Sequence, residues 1–215
     1  MRRDNLAGAR RGVLAGPMKV IGLTGGIAMG KSTAAGVFRR ARLPVFDADA
    51  AVHRLQAPGG AALPAIARAF PGTVVGRDGV AVLDRPALRA AVLADRAALR
   101  RLEGILHPMV RRAQRAFLAR ARRAGARAAV LDVPLLLEAG GERRVDCVVV
   151  VSAPAAVQRA RLRRRRMTAA EAAAVIARQM PDAEKRRRAD LVVRTGLSRH
   201  HAWRTLRRFI RTLGR

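Results

Sequence analysis

At 215 residues the chain is long enough for one α/β domain with a buried core and short for two independent ones, and its 50% apolar content excludes a disordered chain. A formal charge of +29 calls for an anionic partner or an Arg-biased coding background. Of the 44 basic residues only Lys19, Lys31 and Lys185 are lysine, which points to compositional drift, and 3% aromatics with no Tyr argues against nucleic acid as the main partner, because single-strand platforms stack bases on aromatic rings.

Cys147 is the only cysteine, so no internal disulfide can form and a reducing, cytoplasmic setting is expected. Its apolar neighbours predict an inert core thiol. No apolar stretch approaches the roughly 20 residues of a membrane span, so no membrane partner is expected. Residues 1–17 lack the apolar stretch of a signal peptide and read as a disordered extension, with Met18 as an alternative start.

In chain order, residues 19–24 are a short apolar run closing on glycines, and residues 31–41 carry Val37, Phe38 and Ala41 at helical spacing, which predicts strand, tight loop and helix. Residues 43–46 read as a second strand, ending at the carboxylates Asp47 and Asp49. Residues 51–124 break into helical pieces at Pro58, Gly59, Pro64, Pro71 and the turn Gly76-Arg77-Asp78-Gly79, a mainly helical insertion. Within it Asp84 precedes Arg85-Pro86 as an N-cap, and His107-Pro108 is expected to break the chain before a basic helix running to Arg123.

Residues 128–133 and 146–152 are apolar without alternation, as parallel strands covered on both faces are. A very basic helix is expected over 154–166. Thr168 and Glu171 form a capping box, each side chain satisfying an orphan backbone donor of the other, so a further helix should run from Ala169 to Met180 and stop at Pro181. A last strand over 191–193 and a terminal helix capped by Ser198 and ending near Leu213 complete the pattern. The reading is an α/β chain with a parallel sheet flanked by helices: one domain over 18–215, with a core at 18–50 and 125–215, the insertion at 51–124 and an Arg-rich lid at 154–181.

Residues 25–32, Gly-Gly-Ile-Ala-Met-Gly-Lys-Ser, satisfy G-x-x-x-x-G-K-[ST] between a strand and a helix. Glycines let the backbone curl so that amide N–H groups face a β-phosphate, and the helix dipole adds favourable potential. This predicts a nucleotide held by Gly26, Ile27, Ala28, Met29, Gly30, Lys31, Ser32 and Thr33. Lys31 would bridge β- and γ-phosphates and Ser32 would ligate Mg²⁺; a compact ammonium suits this cradle better than a planar guanidinium. Asp132, at the end of a predicted strand, can hold a Mg²⁺-bound water or orient the loop beyond it. A purely structural role for Asp47 and Asp49 is capping of the helix after Ala50.

With this loop placed, the ordered set of motifs resembles dephospho-coenzyme A kinases: Ile21-Gly22-Leu23-Thr24-Gly25-Gly26-Ile27 into Gly30-Lys31-Ser32-Thr33, then Phe46-Asp47-Ala48-Asp49, His107-Pro108, and Asp132-Val133-Pro134-Leu135-Leu136-Leu137-Glu138. Arg178-Gln179-Met180, Glu184-Lys185-Arg186 and Ala189-Asp190 extend it. The resemblance implies a P-loop kinase fold with an acceptor-binding insertion, ATP and dephospho-coenzyme A as substrates, and transfer of the γ-phosphoryl to a ribose 3′-hydroxyl. It implies Asp49 as general base with Asp47 as cap or acceptor-side partner, Arg161 and Arg165 as lid arginines closing over ATP, and His107, Pro134, Leu135 and Glu138 with Asp132 around the acceptor. A monomer or weak homo-oligomer is expected. The chain departs from the family's pattern at Ala28-Met29, where a small pair with Gly is usual and a β-carbon narrows the loop's conformations. It departs also at Leu137, at the lid turn Arg165-Arg166-Met167-Thr168, which lacks Asp-Gly, and at Arg194-Thr195-Gly196, where Asn is common.

Overall fold

The computed structural model describes residues 17–93 and 95–213, so the expected extension at 1–17 lies, apart from Pro17, outside the described residues. The elements in chain order are β1 (Lys19–Gly25), α1 (Lys31–Arg40), β2 (Val45–Asp47), α2 (Ala48–Leu55), α3 (Leu63–Ala69), β3 (Val74–Arg77), β4 (Val80–Leu83), α4 (Arg85–Leu93), α5 (Arg96–Arg123), β5 (Ala128–Asp132), β6 (Cys147–Ser152), α6 (Ala155–Arg164), α7 (Ala169–Ala177), α8 (Asp182–Arg187), β7 (Leu191–Arg194) and α9 (Arg199–Arg211). Two compact units result, one formed by the chain up to Phe46 and again from Ala119, the other by Asp47–Leu118.

The first unit is built on a five-stranded sheet in the order β2-β5-β1-β6-β7. β5, β1, β6 and β7 pair in parallel, with Ile21 opposite Val130 and Cys147, and Val149 opposite Leu191. The unbroken apolar character of β6 has a direct cause: Val149 and Val151 pack with Phe38 of α1 and Leu206 and Phe209 of α9, while Val148 and Val150 pack on the opposite face with Leu136 and Leu137. Parallel sheets bury both faces, so alternation is lost. Burial, followed by the nearby carboxylates of Asp190 and Asp146, pushes the Cys147 thiol up to about 12, consistent with an inert core residue.

Two carboxylates fix the starts of neighbouring strands in the same way. Asp146 accepts from the Val20 N–H at 2.7 Å while its own N–H donates to the Val20 carbonyl at 2.8 Å. Asp190 accepts from the Val148 N–H at 2.8 Å and its N–H donates to the Val148 carbonyl at 2.9 Å.

The second unit gathers Leu63, Ile66, Phe70, Leu83, Leu88, Leu102 and Leu106 into its own core. It holds a hairpin that the sequence reading took for a break between helices. β3 and β4 pair antiparallel with Arg77 opposite Val80, and the two turn residues Asp78 and Gly79 both have positive φ, 51° and 75°. Asp-Gly at these positions makes the primed turn that matches strand twist. Asp84 caps α4 as expected, accepting from the Ala87 N–H at 3.0 Å.

The expected break at His107-Pro108 is absent: Pro108 lies inside the 28-residue α5. Proline forfeits one hydrogen bond to the carbonyl of residue 104 and crowds it. That residue is Gly104, whose Cβ position is open, and Gly104, His107 and Pro108 are all exposed, so the proline sits on the solvent side of the helix, where a freed carbonyl costs least. Leu102, Leu106 and Met109 keep the apolar side of the helix packed across the proline.

Between α6 and α7 Thr168 and Glu171 form the expected capping box. α6 ends with Arg166 left-handed at φ 59°, its N–H on the Arg163 carbonyl and the Met167 N–H on the Leu162 carbonyl, the double closure that glycine usually serves. α7 stops at Ala177 with Arg178 as its C-cap, short of the expected Met180, so Pro181 lies beyond its end and stands instead as the N-cap of α8, where a residue without an N–H is tolerated.

Candidate active site

The phosphate loop lies between β1 and α1. Its entry needs glycine, since a Cβ on Gly25 would come within 2.4 Å of Val151 Cγ2, and Gly30 takes φ 95° directly before the helix. Ala28 also adopts a left-handed conformation, φ 58°, where a methyl group costs about 1 kcal/mol relative to glycine. Its β-carbon is accommodated in a small apolar cluster with Leu162 of α6 and Ala172 of α7, bordered by Ile27, Met167 and Ile176. Met29 is buried, and its sulfur accepts from the Ala153 N–H at 3.1 Å.

Lys31 ends the loop, and its ammonium contacts Asp132 Oδ1 at 2.5 Å. Asp132 is the last residue of β5, 3% exposed, in the strand next to β1. The sequence pair Lys31 and Asp132, 101 positions apart, is thereby brought together at the carboxyl end of the sheet, where open α/β sheets bind ligands. Ser32 and Thr33 stand exposed in the first turn of α1, beside a cavity of ≈ 550 Å³ also lined by Arg40, Arg199, His200 and Trp203. The Thr33 N–H already donates to the Gly30 carbonyl at 3.1 Å, so the N–H groups of Lys31 and Ser32 are the ones this helix start offers to an anion.

The segment after β5 is pinned to the loop's strand: Thr24, fully buried, donates to the Pro134 carbonyl at 2.8 Å, and the Val133 N–H donates to the Leu23 carbonyl at 3.0 Å. Leu135 is exposed. Glu138 forms an ion pair with the fully buried Lys185 at 2.7 Å and accepts from the Met180 N–H at 3.0 Å. Burial by itself would raise the Glu138 carboxyl, but the Lys185 and Met180 hydrogen bonds outweigh it and hold the group below its usual range. Glu138 therefore ties the loop after β5 to α8.

Arg161 of α6 directs its guanidinium at the loop, with Nη1 donating to the Ala28 carbonyl at 3.1 Å and Nη2 to the Thr195 carbonyl at 2.8 Å. Arg165 is the C-cap of α6 and exposed. Sequence reasoning passed over Gln158, a buried amide in an Arg-rich helix, whose Nε2 donates to the Ile27 carbonyl at 2.9 Å. A buried amide needs a partner, but the burial of Gln158 is not written in the sequence, so no signal there marks it. In the second unit, Asp47 is the N-cap of α2 and accepts from the Ala50 N–H at 2.9 Å, Asp49 stands exposed in the first turn of that helix, and His107 is exposed on α5.

A parallel sheet, a Gly-rich loop closed by Lys-Ser at the start of a helix, and a carboxylate on the adjacent strand define a P-loop kinase. The family model for dephospho-CoA kinase matches residues 19–198. The dephospho-CoA kinase of Gluconobacter oxydans is 52% identical over 201 residues, spanning 91% of this chain and 98% of that one. That of Mesorhizobium japonicum is 58% identical over 180 residues, spanning 83% and 88%. A crystal structure from Thermus thermophilus aligns with a TM-score of 0.81 at 34% identity, covering 93% of this chain and all of the other. The chain belongs to the dephospho-CoA kinase family.

Proposed function

We propose that the chain carries out its family's reaction, transfer of the ATP γ-phosphoryl to the ribose 3′-hydroxyl of dephospho-coenzyme A, with the phosphate loop as donor site and Asp49 as the base. The observation that carries this is the Lys31–Asp132 pair at the mouth of the loop. The buried carboxylate of Asp132 fixes the ammonium at the mouth of the loop, where the phosphates of a nucleotide would offer it a strong anionic field. Lys31 then spans the β- and γ-oxygens while the α1 N–H groups hold the β-phosphate, which leaves the γ-phosphorus presented to the acceptor hydroxyl.

The oxygen donors at the loop fit a hard dication: Ser32 would hold Mg²⁺ through its hydroxyl and Asp132 through a water. Bound there, the ion would supply neutralisation of the charge on the transferring phosphate oxygens. Asp49, exposed at a helix start and matching the family's base position, takes the proton of the 3′-hydroxyl, while Asp47 holds α2 in place as its cap. His107, Pro134 and Leu135 serve acceptor contacts, and Arg165, exposed at the end of α6, is available to ATP phosphates. Among the described residues no helix is long and apolar enough to cross a membrane. With its single buried thiol, the chain is read as a cytoplasmic monomer or weak homo-oligomer.

Incubation with ATP and dephospho-coenzyme A should give coenzyme A and ADP, and absence of turnover would sink the reading. Asp49→Asn should lower the rate of transfer by about 10²–10⁴-fold with ATP affinity kept, the range of a lost general base. Near-normal rates in Asp49→Asn together with loss in Asp47→Asn would reverse the assignment.

A further inference from the structure

Three consecutive carbonyls of the phosphate loop are each bound by a side chain from outside it. The Ile27 carbonyl takes Gln158 Nε2 at 2.9 Å, the Ala28 carbonyl takes Arg161 Nη1 at 3.1 Å, and the Met29 carbonyl takes the Thr195 hydroxyl. The Ile27 N–H donates to Gln179 Oε1 at 2.9 Å. Two of these side chains belong to α6, Gln179 follows α7, and Thr195 follows β7, whose end is fixed by the Thr195 N–H on the Ser152 carbonyl at 2.8 Å. Arg161 also joins the set internally, donating to the Thr195 hydroxyl at 3.1 Å and the Thr195 carbonyl at 2.8 Å.

The N–H groups of Ile27 and Met29 are already engaged, on Gln179 and the Gly26 carbonyl. Carbonyls tied to outside donors cannot turn toward an anion, which leaves it the amide N–H groups not so engaged. Without those partners the loop would lose the constraint on residue 28, which a left-handed alanine leaves unfavourable on its own. Thr195 also crowds Gly30 from outside, with its Oγ1 3.1 Å from where a Cβ on Gly30 would lie. The loop is therefore held in shape by side chains from α6 and from the segments after α7 and β7.

We propose that Arg161 and Thr195, with Gln158 and Gln179, are positioning residues that act on ATP through the phosphate loop, and that Arg161 and Thr195 work as one unit. The proposal rests on the loop being the ATP site. Arg161 thus owes its importance to the Ala28 carbonyl and Thr195.

The test is a double-mutant cycle on Thr195→Val and Arg161→Lys, read as KM for ATP, KM for dephospho-coenzyme A, kcat, and equilibrium binding of a fluorescent ATP analogue without acceptor. Thr195→Val should weaken ATP about tenfold, the worth of one net hydrogen bond, with the acceptor KM unmoved. Thr195→Ser should regain most of that loss, because it restores the hydroxyl. Arg161→Lys should weaken ATP comparably, and the double variant should be little worse than either single one, since both release the same loop. Additive losses, or a Thr195→Val enzyme with wild-type ATP affinity, would overturn the proposal. If Thr195→Val does not fold, Gln158→Leu paired with Arg161→Lys gives the same cycle with the same two outcomes. A wild-type enzyme that binds no ATP would refute the site itself, a distinct failure.

Discussion

The two edges of the sheet use the same residue type for opposite ends. At the entry edge Asp146 and Asp190 are exposed, and each carboxylate bonds to one backbone N–H of the strand beside it. At the exit edge Asp132 is buried and faces an ammonium from the phosphate loop. All three sit at the boundary of an apolar strand, and sequence pattern alone makes them look alike. Position along the strand separates them, because in parallel sheets loops at the carboxyl ends form the ligand crevice.

The sharpest break of this contrast is Lys31→Ala. Removing the ammonium should lower kcat/KM for ATP by about 10²–10³-fold, the range for loss of one preorganised charge-stabilising donor. A steady-state assay checks it, and a loss below tenfold would mean that Lys31 is not at the phosphates. Glu138 sharpens the contrast from inside the exit edge, since it lies past Asp132 yet binds Lys185 and the Met180 N–H. Its carboxyl is held below the ordinary 4.5, so its contribution to stability is fully present above that pH and is lost as pH falls through the lower folded value. The Tm difference between wild type and Glu138→Gln should therefore be widest near pH 7 and shrink below pH 4.5, as thermal melts between pH 7 and 3 would record. The smallest effect belongs to the entry edge. Asp190→Ala leaves the Val148 N–H without its acceptor and should cost about 1 kcal/mol, a Tm drop of about 2–4 °C for a chain of this size, with kcat and both KM values at wild-type levels.

Much of this arrangement is legible in the chain because local rules agree there. The loop glycines, the Asp84, Ser198 and Thr168 caps and the apolar runs of β1, β5 and β6 each follow from nearest-neighbour chemistry. The misreadings share one cause, local punctuation taken without its tertiary setting. Pro108 reads as a stop until the apolar side of α5 is seen to continue past it, and Gly76-Arg77-Asp78-Gly79 reads as a break although Asp-Gly between valine-rich runs is a hairpin signal. The fastening of the loop lay beyond reach for a different reason. Gln158 and Thr195 meet residues 131 and 166 positions away, and no periodicity encodes which carbonyl a side chain will find. Ala28 was the exception, since a β-carbon in a tight glycine-rich turn is a visible departure, and it is left-handed in the structure.

The scarcity of lysine acquires a chemical meaning once their places are known. Lys185 is sealed from solvent, and Lys19 begins β1 at the sheet's entry edge, whereas Lys31 is partly exposed at the exit edge. Guanidinium groups do not react with amine-directed acylating reagents under mild conditions, so the 41 arginines are silent to them. Side-chain acylation at the exit edge thus falls on a single nitrogen, Lys31 Nζ, and under the proposed ATP site occupancy becomes legible as the shielding of one residue.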